Sequence, residues 1–420
     1  MAAWTDTLRT GAWLTRERMR LVGFGVLVAS IIGIGYLLAT ATGLNDHLGK
    51  PLGTDFSNVY AAGTYVLDGD PAAPFDPVKQ LARERLIFGP ATPLYGWHYP
   101  PPFLGLAALL ALLPYLPALA LWQGVTLILY LWAIRAVLLN AQPSAAGLAN
   151  DRLWLLLALA FPAVLINLGH GHNGFLTAAL MAGALVQLDR RPILAGVLFG
   201  LLAYKPQFGL LIPFVLIAGG RWRVFMAAAA TVAALVLAVT LAFGTEVWTA
   251  FFAGTKFTRV VVLEHGDTGW YKIQSVFSIV RMWGGSVPLA YAVQGTLTVA
   301  VLAATTLLWR ARASFALQAA ALLIGTILAT PYSLDYDLML LAPAIAFLAA
   351  DGFARGFTPW EKTMLAALWI VPLVARSAAQ TTLIPLAVPA MLAAFAMLLH
   401  RTARETGAAR PWLFASRSLK

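Results

Sequence analysis

The chain has no cysteine. That excludes disulfides, thiolate metal sites and a cysteine nucleophile. Charge is nearly as scarce: 11% of residues are Asp, Glu, Lys or Arg, against about a quarter in an ordinary soluble domain. With 60% apolar residues and a mean hydropathy of +0.77, the chain has too little polar surface for a soluble globule. It holds neither of the common glycine-rich phosphate loops, so no nucleotide pocket is predicted. The distribution of Asp and Glu gives no case for a divalent metal, and no cofactor is predicted. With no low-complexity linker and no internal repeat, residues 1–420 read as one membrane domain.

What is present is a series of apolar runs approaching the length that crosses a hydrocarbon core of about 30 Å. The pattern predicts an all-α polytopic membrane protein with about twelve spans, in a range of ten to thirteen. They fall near 21–41, 117–139, 153–169, 173–188, 193–204, 207–219, 224–243, 287–308, 314–330, 336–350, 360–376 and 383–399. The first is too long for a signal-peptide core and is read as a retained helix. The run 103–113 is bounded by Pro102 and Pro114. It rises only about 16 Å as a helix, which makes it re-entrant or interfacial.

Charge orients this trace. Arg152, Arg190, Arg191, Arg221, Arg223, Arg310, Arg312, Arg355, Lys362 and both basic tails fall on one side. By the positive-inside rule that side is cytoplasmic, with both termini. The bias also accounts for the net charge of +11 without a nucleic-acid partner. The opposite face carries two larger loops, 42–116 and 244–286, and is predicted to be the extracytoplasmic face, most simply of a bacterial inner (plasma) membrane.

Five of the six histidines and many of the acidic residues gather on that outer face. Ionisable groups are costly there and mark a functional site by default. Asp55 begins a predicted helix; it reads either as an N-cap or as a general base that takes a proton from a hydroxyl nucleophile. His98 and Tyr99 precede three prolines, which form a stiff corner and either anchor the interface or hold both side chains against a site. His170, His172 and Asn173 share a short glycine-flanked turn. A metal, a hydrogen-bonded substrate and a solvated turn are all open there. Lys205 stands before Pro206 in an apolar hairpin; it either snorkels or lines a helix break that suits a phosphate. Asp335 and Asp337 open a late span about 200° apart on a helix, too far round to act as a carboxylate pair. Gln274, Lys272 and Arg281 lie on a segment that reads as an interfacial helix or as an approach to a lipid headgroup.

Taken in order, several of these motifs resemble glycosyltransferase family 87, a group of GT-C type membrane enzymes that includes α-(1→2)-mannosyltransferases. The likeness is carried by Asp55 with Tyr60-Ala61-Ala62-Gly63, the Gly69-Asp70-Pro71 turn, Phe75-Asp76-Pro77, and Tyr99-Pro100-Pro101-Pro102-Phe103. Asn173-Gly174, Ala195-Gly196, Lys205-Pro206, Gln274-Ser275 and Thr330-Pro331-Tyr332-Ser333 complete it.

The resemblance implies a GT-C-like bundle and an inverting transfer of a hexose or pentose, mannose first, from a polyprenyl-phosphate donor. The acceptor would be a hydroxyl of a cell-envelope glycolipid or glycan, with membrane lipids around both substrates. It implies Asp55 as general base, with Lys205 first and Lys272 or Arg281 second as donors to the leaving phosphate. His98, Tyr99, His170, Asn173, Gln274 and Asp335 would bind substrate. Where the family is often rich in histidine, near 330–337, this chain has Asp335, Tyr336 and Asp337, so a histidine role falls to His98 or His170. The rival readings are a secondary transporter and a lipid-linked glycan ligase or polymerase.

Overall fold

The computed structural model describes residues 2–140, 143–311 and 313–406. Arg312 and the basic tail after 406, both used in the charge argument, lie outside the described residues. Among the described residues every element is helical, and the extended pairing is limited to isolated bridges such as Ile273 with Leu334.

The helices in chain order are α1 (Ala2–Thr10), α2 (Arg16–Ala39), α3 (Thr54–Leu67), α4 (Pro77–Phe88), α5 (Pro102–Ala111) and α6 (Tyr115–Leu139). Next come α7 (Leu153–Leu159), α8 (Pro162–His170), α9 (Gly174–Gln187), α10 (Pro192–Gly200), α11 (Ile212–Ala218) and α12 (Trp222–Phe243). The last are α13 (Glu246–Phe257), α14 (Val276–Met282), α15 (Val287–Arg310), α16 (Phe315–Leu328), α17 (Leu341–Arg355), α18 (Glu361–Thr382) and α19 (Ala387–Glu405).

The chain is an integral membrane protein, with fewer full-length spans than the twelve predicted. Six helices are long and apolar enough to cross a bilayer, and α7 with α8, bent by 45°, makes a seventh if the pair is one span. The predicted spans at 173–188, 193–204, 207–219 and 314–330 appear as shorter apolar helices. Proline explains part of the difference. Pro162 starts α8, Pro192 starts α10, and Pro206 follows a 3₁₀ turn. A proline lacks the N–H needed to continue a helix, and its ring crowds the preceding turn.

Helices α9, α16 and α17 form the buried centre of the bundle. Residues 319–328 of α16 are all buried, so this stretch reads as apolar on every side. The long helices α2, α12 and α15 bury few of their own residues. Their apolar side chains face outward, as a lipid-facing surface requires.

The two large loops fold into short helices. In the first, α3 lies so close to α5 that a Cβ on Gly63 would come within 2.1 Å of the Ala107 carbonyl oxygen. In the second, α13 leads into a π-helical turn (Thr258–His265), and a 3₁₀ turn (Trp270–Lys272) precedes α14. The Ile273–Leu334 bridge and the bond from Gln274 N to Ser333 O at 2.7 Å tie this loop to the turn that opens α17.

Candidate active site

The side chains singled out in the sequence converge where α3, the α8–α9 turn, the Trp270–Lys272 turn and the start of α17 meet. The local folding that brings them there begins with two glycines. Gly53 caps α3 with φ +66°, and Gly171 ends α8 with the same φ. A Cβ on Gly171 would sit 2.6 Å from Cβ of Phe56 and 3.2 Å from Cα of Gly53. Only glycine tolerates both that backbone and that approach, and the contact sets His170 against the first turn of α3.

Asp55 lies in that first turn, next to the positive end of the helix dipole. It does not cap the helix, which has no side-chain cap. Its carboxylate has no hydrogen-bond or ion-pair partner among the described residues, and the residue is only partly buried. Loss of hydration raises its pKa above the usual carboxylate value; the fields of Lys272 and Lys205 oppose this, and that of Asp335 adds to it. These three groups and His170, which meets Thr54, surround Asp55.

The α8–α9 turn is strapped from behind. Asn167 Oδ1 accepts from Gly174 N at 2.8 Å, and its Nδ2 donates to His172 O at 3.1 Å. Gln123 and Trp122 of α6 donate to Asn167 O and Gly171 O at 3.0 and 3.1 Å. His170 Nδ1 lies 2.7 Å from Thr54 Oγ1.

The solvated-turn reading does not hold for His172. The ring is buried, stacks on Tyr336 with centroids 3.3 Å apart, and bonds to Tyr99 OH through Nε2 at 3.0 Å. Burial, with help from Lys205, lowers its pKa well below the usual value, which keeps it neutral. Asn173 beside it is buried, and neither end of its amide has a partner among the described residues.

The two aspartates of the later turn take separate cations. Asp337 holds Lys205 Nζ at 2.5 Å, both nearly fully buried, and accepts from Leu334 N at 2.9 Å. Lys205 therefore does not snorkel; its ammonium is already paired. Asp335 accepts from Arg376 of α18 at 3.2 Å and from Tyr336 N at 3.0 Å. Arg376 also reaches His170 Nε2 at 3.4 Å.

Of the remaining predicted cations, Arg281 is occupied by the carbonyls of Glu264 and Gly285 and lies over the Trp270 ring at 4.7 Å. Lys272 has no carboxylate within ion-pair distance among the described residues. Burial and the fields of Arg376 and Lys50 lower its pKa, while Asp335 and Asp55 raise it. It is thus a cation held against other cations near the candidate base. Gln274 positions it by donating to the Lys272 carbonyl at 3.2 Å.

His98 sits to one side. Its Nδ1 meets Thr258 Oγ1 of the π turn at 2.7 Å, and burial lowers its pKa to about 4. Neutral at physiological pH, it has no proton to deliver as a strong acid. Tyr99 packs on Phe103 and Trp97 behind His172. Asp46 closes its own turn through Leu48 N and Lys50 N, and His265 and Asp267 are exposed. Among the described residues no three His, Cys, Asp or Glu are grouped to hold a metal.

Arg376, Thr54, Gln123 and Asn167 were missed in the sequence. A signal existed for Arg376, a charge inside an apolar span, and for Gln123 and Asn167, amides in apolar helices. Thr54 gave none.

Comparison with curated proteins and with solved structures gives no match. The profile of Glycosyltransferase family 87 matches residues 97–331, more than half of the chain. The chain belongs to that family and is a membrane glycosyltransferase.

Proposed function

We propose that the protein transfers a sugar from a polyprenyl-phosphate donor to a hydroxyl of a glycolipid or glycan on the extracytoplasmic face of a bacterial inner membrane. The observation that carries this reading is that Asp55, a carboxylate with no partner among the described residues, stands near Lys272, a cation with no carboxylate in ion-pair distance among them. A general base and an anion-binding group are what an acceptor hydroxyl and a departing phosphate each require.

In the proposed step the acceptor oxygen attacks the anomeric carbon while its proton passes to Asp55. The bond from that carbon to the phosphate oxygen breaks, with inversion. The polyprenyl phosphate leaves with the bonding pair, and its new charge falls to Lys272, with Arg376 as the neighbouring cation. The Lys205–Asp337 pair supports the site from below rather than meeting the phosphate. His170, Asn173 and Asp335 line the substrate side. Asp55 lies upstream of the matched residues, so its role rests on geometry. The extracytoplasmic orientation rests on the charge bias of the loops.

The test is transfer of labelled mannose from a synthetic polyprenyl-phosphate mannose to membrane glycolipid by purified protein, with arabinosyl and glucosyl donors alongside. Transfer by the wild type and its loss in Asp55→Asn and Lys272→Ala would support the reading. Absence of transfer from all three donors by a folded wild type would overturn it.

A further inference from the structure

The candidate base has a neighbour whose hydroxyl proton has no destination within the described protein. Thr54 Oγ1 has one polar contact among the described residues, to His170 Nδ1 at 2.7 Å. Which atom donates there depends on the tautomer of His170, and the other side of the ring decides that. His170 Nε2 faces Arg376 Nη1 at 3.4 Å. A guanidinium has only donors, so Nε2 must accept and cannot carry a proton. The ring proton of neutral His170 is then on Nδ1 and is donated to Thr54 Oγ1. A doubly protonated ring would set an N–H against an N–H. Thr54, having accepted from His170, must send its own proton elsewhere.

We propose that Thr54 is a substrate-contacting residue, made an obligate hydrogen-bond donor to the acceptor substrate by a one-way chain from Arg376 through His170. The chain runs Arg376 N–H to His170 Nε2, His170 Nδ1–H to Thr54 Oγ1, and Thr54 O–H to an oxygen of the acceptor. Each link polarises the next, so the terminal O–H is a better donor than an isolated threonine. Asp335 anchors the far end through Arg376 at 3.2 Å. Thr54 and Asp55 are the first two residues of α3, so a donor and a base stand side by side. The donor fixes an acceptor oxygen while the carboxylate takes a proton. Toward the acceptor oxygen Arg376 and His170 are positioning residues in this scheme, because they act on that atom through Thr54.

The proposal rests on the glycosyl-transfer reading for its substrate, but the tautomer can be read without activity. The first experiment is side-chain ¹⁵N spectroscopy of histidine-labelled protein in nanodiscs, with His170 assigned by its disappearance in His170→Asn. The expected signature is a protonated Nδ1 and a bare Nε2 in the wild type, with the tautomers mixing in Arg376→Met. A protonated Nε2 in the wild type overturns the chain, whether or not the protein transfers sugar.

The second experiment is kinetic. Thr54→Val keeps the shape and removes the hydroxyl; it is expected to raise the KM for acceptor at least tenfold while the KM for donor stays within about threefold. Thr54→Ser is expected to recover most of that loss. Equal kinetics for Thr54→Val and wild type, or a rise confined to the donor KM, would overturn the assignment. Failure of the wild type to transfer any sugar would count against the glycosyl-transfer reading and leave the tautomer result to decide the chain.

Discussion

Lys205 and Asp337 are buried together, and each gives up its hydration to be there. Their attraction offsets that loss only while both are present. Removing one leaves an uncompensated buried charge, which costs about 3–5 kcal/mol, whereas replacing both by apolar residues is near neutral. Lys205→Met should therefore lower the melting temperature in detergent sharply, and Lys205→Met with Asp337→Leu should recover most of it. An equal loss in both variants would mean that the pair contributes more than mutual neutralisation.

Asp55 carries a different prediction. Its replacement by Asn should cut transfer by about 10²–10⁴-fold, the usual contribution of a general base, with no change in melting. The wild-type rate should rise with pH along a limb set by the ionisation of Asp55, displaced above the ordinary carboxylate value because burial dominates. A limb that persists in Asp55→Glu but vanishes in Asp55→Asn would assign it.

Glu84, fully buried on α4 beside Gln80 and Tyr95 N, has its pKa raised to about 8, first by burial. A raised acid binds its proton more tightly in the folded state. Its stabilising contribution is thus full below the unfolded value and is lost as pH rises toward 8. Stability should fall across that window by up to about 1.4 kcal/mol per pH unit, and Glu84→Gln should flatten the slope. Melting curves at several pH values would show whether it does.

At the scale of elements, the site depends on close backbone approaches more than on helix propensity. Gly171→Ala would add a Cβ against Phe56 and Gly53 in a left-handed conformation. The conformation alone costs about 1–2 kcal/mol, and relief of the clash would push the α8–α9 turn off α3. Transfer should fall further than melting does, because the His170–Thr54 contact goes before the bundle opens. A variant that loses stability and keeps its specific activity would show that the turn tolerates the shift.

Within 42–116 the sequence offered a helix opening at Asp55 and a short apolar run at 103–113, where α3 and α5 lie, and it gave no helix for α4. In an apolar chain the charges of α4, at Lys79, Arg83, Glu84 and Arg85, read as loop. Much the same holds for 244–286, where α13 and α14 are short and a π turn separates them. The helix break at Pro206 was legible, whereas Pro162 bends what was read as one span at 153–169. The shortness of α9 and α16 was not, since a buried helix and a membrane span share the same uniform apolarity.

At the scale of the whole molecule, α17 and α18 carry charge at both ends. One end places Asp335 and Arg376 in the site. The other gathers Asp351, Arg355, Glu361, Arg401 and Glu405 into a network in which Arg401 bonds Asp351 at 2.5 Å, Glu405 at 3.2 Å and Glu361. That network clamps α17, α18 and α19 at the end away from the candidate chemistry.

The proposed orientation puts the network on the cytoplasmic side, and the absence of cysteine makes this directly measurable. A single cysteine at Asp267, an exposed position, should react with a membrane-impermeant maleimide added outside. One at the exposed Arg190 should react only after the membrane is opened. The reverse pattern would place the site in the cytoplasm and remove a lipid-linked donor from the outer leaflet.

Composition and hydropathy by themselves determined that this chain lives in a membrane, is built from helices, and concentrates ionisable groups between its apolar runs. They did so because burial in lipid is a local demand, read one segment at a time. Motif order pointed to the family. Only the tertiary structure decided which charges are already paired: Lys205 with Asp337, Arg281 with backbone carbonyls, and Asp335 with Arg376. It alone left Asp55 and Lys272 without ion-pair partners among the described residues and set His170 between Thr54 and Arg376. Several of those outcomes depend on contacts between residues more than a hundred positions apart, such as Lys205 with Asp337, Thr54 with His170 and His170 with Arg376. No local pattern encodes the distance between two side chains that meet only when the bundle closes.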